Sequence, residues 1–161
     1  MITMSWTTPL TDPSSPDATP VDRHRLWRSL LAKAEAPTNY VPAITACRIL
    51  ERYDDGFLRE IVRNGERLVQ RVRPEPERRI LFEHIGDPDV ASIANVIGTD
   101  ASGATTFTIE IVLAAGGAAR ALQESDFLRT TDEYFADTIE AIVRALRPLS
   151  VATLDQEGAQ R

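Results

Sequence analysis

The chain has 161 residues, 43% of them apolar, and its 18 basic and 24 acidic side chains give a net charge of −6. That length suits one packed core and is short for two domains, and charges spread without a basic block argue against a nucleic-acid surface, where clustered Lys and Arg neutralise phosphate. Cys47 is the only cysteine, so no internal disulfide can form. With no apolar run of signal or membrane-spanning length, the expectation is a cytoplasmic protein with no membrane partner.

In chain order, Met1 to Leu10 reads as a first strand, and Thr8 to Pro20, with four prolines among Asp, Ser and Thr, reads as a loop. From Val21, Leu26, Trp27, Leu30 and Leu31 recur at helical spacing, which predicts a helix over Arg23 to Glu35 with Asp22 as its N-cap and Pro37 as its stop. Ala46 to Tyr53 and Phe57 to Asn64 flank the hairpin signal Asp54-Asp55-Gly56, and Asn64-Gly65 repeats the device. Glu66 to Arg73 is expected to stop at Pro74, and Arg79 to Ile85 at Gly86-Asp87-Pro88. Val90 to Ile97 and Thr105 to Ala114 are joined by a Gly98 to Gly103 turn. Successive hairpins with short connections predict an antiparallel meander.

Phe107, Ile109, Ile111 and Leu113 share one face of the last strand, so the sheet has a dry side. A long helix from about Glu124 to Arg147 carries an apolar stripe of Phe127, Tyr134, Phe135, Thr138, Ile139, Ile142, Val143 and Leu146, and it must lie on that side. Gly116-Gly117 is expected to permit the chain reversal between the two. Thr130 and Glu133 have capping-box spacing, which points to a late start or a break near that position. The whole reads as an α+β sheet built around a terminal helix, an arrangement that can enclose a pocket.

Several blocks together resemble a known family. Leu26-Trp27 and Leu30, Tyr40-Val41-Pro42-Ala43-Ile44, Cys47-Arg48-Ile49-Leu50-Glu51, Asp55-Gly56-Phe57-Leu58-Arg59-Glu60, Arg71-Val72, Arg79-Ile80-Leu81-Phe82-Glu83 and Asn95 are similar to the AtaL-like family of the SRPBCC helix-grip superfamily, which also holds START domains and polyketide cyclases. The resemblance runs from about Ile2 to Arg147. It implies a helix-grip fold, in which a curved antiparallel sheet wraps around a long C-terminal helix over an internal cavity. It supplies no catalytic motif, because function in such a superfamily resides in the site. One domain over residues 1–147 is therefore expected, followed by a mobile tail over 148–161.

The chemistry-bearing residues are few. With two histidines, His24 and His84, and one cysteine, neither a metal centre nor a bound cofactor is expected. Cys47 reads as a buried structural thiol rather than a nucleophile served by His84, and Gly98 to Gly103 lacks the Lys and Ser/Thr of a phosphate loop. Polar residues within strands, Arg59, Glu60, Gln70, Arg71, Glu83, His84, Asn95 and Glu110, face either a cavity or water according to register. At least one of Glu60, Arg71, Glu83, His84 and Asn95 is expected to reach the cavity. Tyr40, Phe82, Phe107, Tyr134, Phe135 and Ile142 would wall it. The alternative for each polar residue is ion pairing on the solvated face, and each apolar one could equally be core filling.

These residues lead to three readings. The first is binding of a small hydrophobic or aromatic metabolite in the cavity. A cyclase-like enzyme would use an inward Glu, Arg or His for proton transfer. An interaction protein would fill the cavity with its own side chains and form a homodimer through an exposed face.

Overall fold

The computed structural model describes residues 2–13, 15–123 and 125–146, without the side chains of 123 and 125–131. The tail expected over 148–161 lies outside the described residues, as do the Phe127 and Thr130 side chains. Seven strands, β1 (Thr3–Pro9), β2 (Ile44–Tyr53), β3 (Gly56–Arg63), β4 (Glu66–Glu75), β5 (Arg79–Ile85), β6 (Val90–Thr99) and β7 (Thr105–Leu113), form one sheet in the order β1-β7-β6-β5-β4-β3-β2. Every pairing is antiparallel. Among the described residues, three α-helices, α1 (Arg23–Glu35), α2 (Ala115–Gln123) and α3 (Ser125–Leu146), and a single 3-10 turn over Pro37–Asn39 complete the fold. This is an α+β helix-grip fold, with the curved sheet around the C-terminal helix.

Alternation within the strands selects the inner face. Phe57, Arg59 and Ile61 of β3 point inward, opposite Val72, Gln70 and Leu68 of β4, while Leu58 and Glu60 point out. Ile80 and Phe82 of β5, Ile93 and Ile97 of β6, and Phe107, Ile109, Ile111 and Leu113 of β7 continue the same dry layer. On the helical side it is closed by Leu26, Trp27 and Leu30 of α1 and by Ile142 and Leu146 of α3. Trp6 of β1 stacks on Phe135 of α3 at 5.7 Å between ring centroids and donates Nε1–H to Asp132 at 2.8 Å.

The N-cap stands where the sequence puts it, Asp22 accepting from the Arg25 backbone N–H at 3.0 Å. The Asn64-Gly65 turn takes the two left-handed conformations, φ 49° and 81°, that a tight hairpin needs. Helix α1 is tied to the end of α3 by Arg25, which donates to the Leu146 carbonyl at 2.5 Å, and by Ser29, whose hydroxyl donates to that of Ala145 at 3.3 Å.

Three local expectations are corrected. Gly116 and Gly117 do not make a bare reversal but lie in the first turn of α2, where the helix presses on the β5–β6 connection. A Cβ on Gly117 would stand 2.0 Å from the Asp89 carbonyl oxygen, and one on Gly116 2.7 Å from that of Pro88. Strand β4 runs through Pro74 to Glu75, with Pro74 opposite Ile80. Helix α3 starts at Ser125 and passes Thr130 without a break.

Candidate functional site

Between the inner face of the sheet and α3 lies an open cleft of about 460 Å³. Its apolar wall is formed by Met4 from β1, Leu68 from β4, Val90 and Ile93 from β6, and Ile111 and Leu113 from β7, with the Tyr134 ring from α3, and polar residues make up the rest of the lining. Glu66, Asp87, Asp89, Glu133 and Asp137 also line it, together with Arg63, His84 and Arg120. Asp89 is paired there with Arg120 at 2.7 Å. The Arg63 guanidinium lies over the Tyr134 ring, 4.2 Å from its centroid.

Deeper in, a chamber of about 40 Å³ shares Arg63, Ile93, Tyr134 and Asp137 with the cleft and adds Lys33, Arg59, Gln70, Phe82, Asn95 and Thr138. A chain of hydrogen bonds runs through it. Arg59 donates Nη1–H to the Ala34 carbonyl at 2.6 Å and Nε–H to the Gln70 carbonyl oxygen at 2.9 Å. An arginine Nε can only donate, which fixes the Gln70 amide orientation and makes its NH₂ the donor to His84 Nε2 at 3.0 Å. His84 therefore carries its proton on Nδ1 and donates it to Asp87 at 2.9 Å. Asp87 also accepts from the backbone N–H groups of Asp89 and Val90, at 2.8 and 3.1 Å.

This wiring sets the charges. Burial pulls the His84 imidazole below its ordinary pKa, and the Arg63 and Arg59 charges add to that, outweighing the raising effect of Asp87. Burial alone would push the Asp87 carboxyl up, but the bonds from His84 and the two backbone N–H groups hold it below the usual carboxylate range. Arg59, 5% exposed, is lowered by desolvation to about 10 and stays a cation at neutral pH. Lys33 on α1 is 8% exposed, and burial, with Arg59 and Arg63 beside it, pulls its ammonium down to about 7. Cys47 is a free thiol that burial pushes up, and it lines neither space.

The residues expected at the cavity divide cleanly. His84 and Tyr134 line the cleft, and Phe82, Asn95 and again Tyr134 line the chamber. Glu60 and Arg71 are corrected, since the β3–β4 register turns both to the outer face. There Glu60 stands 3.7 Å from Arg48, and Arg71 pairs with Asp55 and lies over the Tyr53 ring at 4.2 Å. Glu83, on that same face, pairs with Arg73. Phe107 and Ile142 are fully buried core, and Phe135 is taken up by its stack on Trp6. Tyr40 lines neither space, and its carbonyl accepts from Arg144 at 3.3 Å.

Lys33, Arg63 and Asp87 belong to the site without having been expected there. Lys33 carried a signal. It stands seven residues after Leu26 and three after Leu30, on the buried stripe of α1, and it is the only lysine in the chain. Arg63 follows Arg59 and Ile61 at the strand period, so the register that buries those two turns it inward as well.

The comparisons with known proteins agree with this architecture. No curated protein matches the chain in sequence. Among solved structures, the di-domain ARO/CYC StfQ from the steffimycin biosynthetic pathway superposes with a TM-score of 0.61 at 10% identity, covering 89% of this chain and 50% of that one. This chain thus spans half the length of that protein. The Zhui aromatase/cyclase from a Streptomyces strain gives 0.59 at 15% identity, over 94% and 96% of the two chains. A START superfamily protein from Mycobacterium smegmatis gives 0.58 at 17% identity, over 90% and 99%. At these identities the likeness is one of fold. The family model described as acetylaranotin biosynthesis cluster protein L, AtaL, matches residues 5–149, nearly the whole chain, and by that match the chain belongs to the AtaL family.

Proposed function

We propose that this protein binds a small hydrophobic or aromatic molecule in the cleft between the sheet and α3. The observation that carries the reading is the cleft itself, about 460 Å³ of space walled on one side by apolar side chains and leading to a few buried polar groups. That volume is in the range of small-molecule sites. The structural likeness to aromatase/cyclases and a START superfamily protein supports the same class of ligand.

Binding is favoured over an imidazole-assisted cyclisation because that ring is already engaged. The His84 Nε2 lone pair accepts from Gln70, and no Glu lines the inner chamber among the described residues. Among those residues, too, no helix is long and apolar enough to cross a membrane. A cytoplasmic setting is part of the proposal, and there the Cys47 thiol stays reduced.

The test is a fluorescence titration with the neutral probe N-phenyl-1-naphthylamine. Saturable enhancement is expected in the native protein, together with its loss when Leu68, half-buried on the cleft wall, is replaced by Trp to fill the space. Equal enhancement in Leu68→Trp would place the probe elsewhere and refute the reading.

A further inference from the structure

We infer that the inner chamber is an anion subsite, which takes a carboxylate-sized oxyanion at one end of the bound molecule with Lys33 as its charge partner. The inference rests on the proposed cleft ligand and specifies its polar end.

Two largely buried polar side chains line this chamber without a hydrogen-bond or ion-pair partner. Lys33 is 8% exposed and Asn95 2%, and both line it. Among the described residues, neither the lysine ammonium nor the asparagine amide makes a hydrogen bond or ion pair. Their amine and amide atoms open onto the chamber rather than being sealed in the core, so both can meet a group that enters from the cleft. The Phe82 ring lies 5.8 Å from Lys33 Nζ and 4.9 Å from the Arg59 guanidinium carbon, so the two cations gather around one ring.

The charge balance decides the sign of the guest. The titratable and charged groups around the chamber are Lys33 from α1, Arg59 and Arg63 from β3, and Tyr134 and Asp137 from α3, with neutral His84 reached through Gln70. Asp137 is the one carboxylate lining it among the described residues, and it is exposed at the rim. Arg59 and Arg63, joined by Lys33 when it is protonated, against one exposed carboxylate leave the inner end electropositive. At about 40 Å³ the chamber holds roughly three water-sized groups, the size of a carboxylate. An anion there would accept from Lys33 and Asn95 and offset the repulsion among the cations. That repulsion contributes to the low basicity of Lys33, so binding a carboxylate at pH 8 should draw a proton onto the amine.

Since the chain has one lysine, protein labelled with ¹³C at lysine Cε gives a single Cε resonance that reports Lys33 titration directly. Titrations are run in ligand-free protein with acetate or 2-naphthoate, and with acetamide or methyl 2-naphthoate, each against sodium chloride of equal ionic strength. A carboxylate should raise the Lys33 midpoint by about one pH unit or more, and its neutral analogue should not. In Lys33→Met, the preference for 2-naphthoate over its methyl ester should fall about tenfold while ester binding persists. A Lys33 midpoint that responds no more to carboxylate than to chloride, or equally to the neutral analogues, overturns the inference. The two claims fail separately. Loss of naphthylamine binding with an intact carboxylate response would refute the cleft ligand, and the reverse would refute the anion subsite.

Discussion

Replacing Lys33 by Met should make the ligand-free protein more stable, by an amount that depends on pH in a prescribed way. Met keeps an unbranched stem of similar length and removes the buried charge. A lysine whose pKa falls from 10.5 unfolded to about 7 folded penalises its charged form by about 5 kcal/mol, at about 1.4 kcal/mol per pH unit. Between those two values the unfolded chain binds the proton and the folded chain does not, so stability lost to this group grows as pH falls through that window. Above about 10.5 both states are neutral and the penalty vanishes, whereas below about 7 both are charged and the penalty is complete. The assay is urea unfolding of the native protein and Lys33→Met at pH 6, 7, 8 and 9, comparing only the difference so that other titrating groups cancel. The advantage of the Met variant should be largest at pH 6 and 7 and shrink by about 1 kcal/mol per unit above that. A difference that stays constant from pH 7 to 9 would show that Lys33 titrates as an exposed lysine, and the account of the chamber would be wrong.

Other predictions address the wiring and the packing. In ¹⁵N-labelled protein, His84 should show the Nδ1–H tautomer and remain neutral below the ordinary histidine midpoint of 6.5, its neutral-state stability being lost as pH falls; an Nε2–H signal or an ordinary titration would contradict the chain. Arg59→Ala should cost about 3 kcal/mol in urea unfolding, because Gln70 and the Ala34 carbonyl lose their buried partner; a loss near zero would mean that water replaces the guanidinium freely. Gly117→Ala should destabilise by about 2 kcal/mol through collision with the Asp89 carbonyl, and a neutral result would show that α2 can lift away at no cost.

Much of the fold could be read from local chemistry. The Asp22 cap and Pro37 bound α1, and the alternation in Thr105–Leu113 names the dry face of β7. Strand β3 could not be resolved that way, since Leu58 and Val62 flank Glu60 on one face while Phe57 and Ile61 flank Arg59 on the other. Both faces mix apolar and charged residues, so only pairing with Gln70 and the outward Arg48–Glu60 contact settle the register. That register places Glu60, Arg71 and Glu83 in ion pairs on the outer face and His84 and Asn95 on the inner one. Helix α2 escaped notice because Ala-Gly-Gly-Ala reads as a breaker, and its glycines are explained only by how closely Asp89 approaches. Lys33 was hidden by its type, since a lysine on a helix is ordinarily assigned to water.

Native mass spectrometry of the protein purified from its native host, compared with the same sample after denaturation, tests the central claim most directly. The account predicts a noncovalent mass of small-molecule size that is present in the native spectrum, absent after denaturation and absent from Leu68→Trp. Recovery of the bare chain alone, together with no saturable naphthylamine binding, would contradict it.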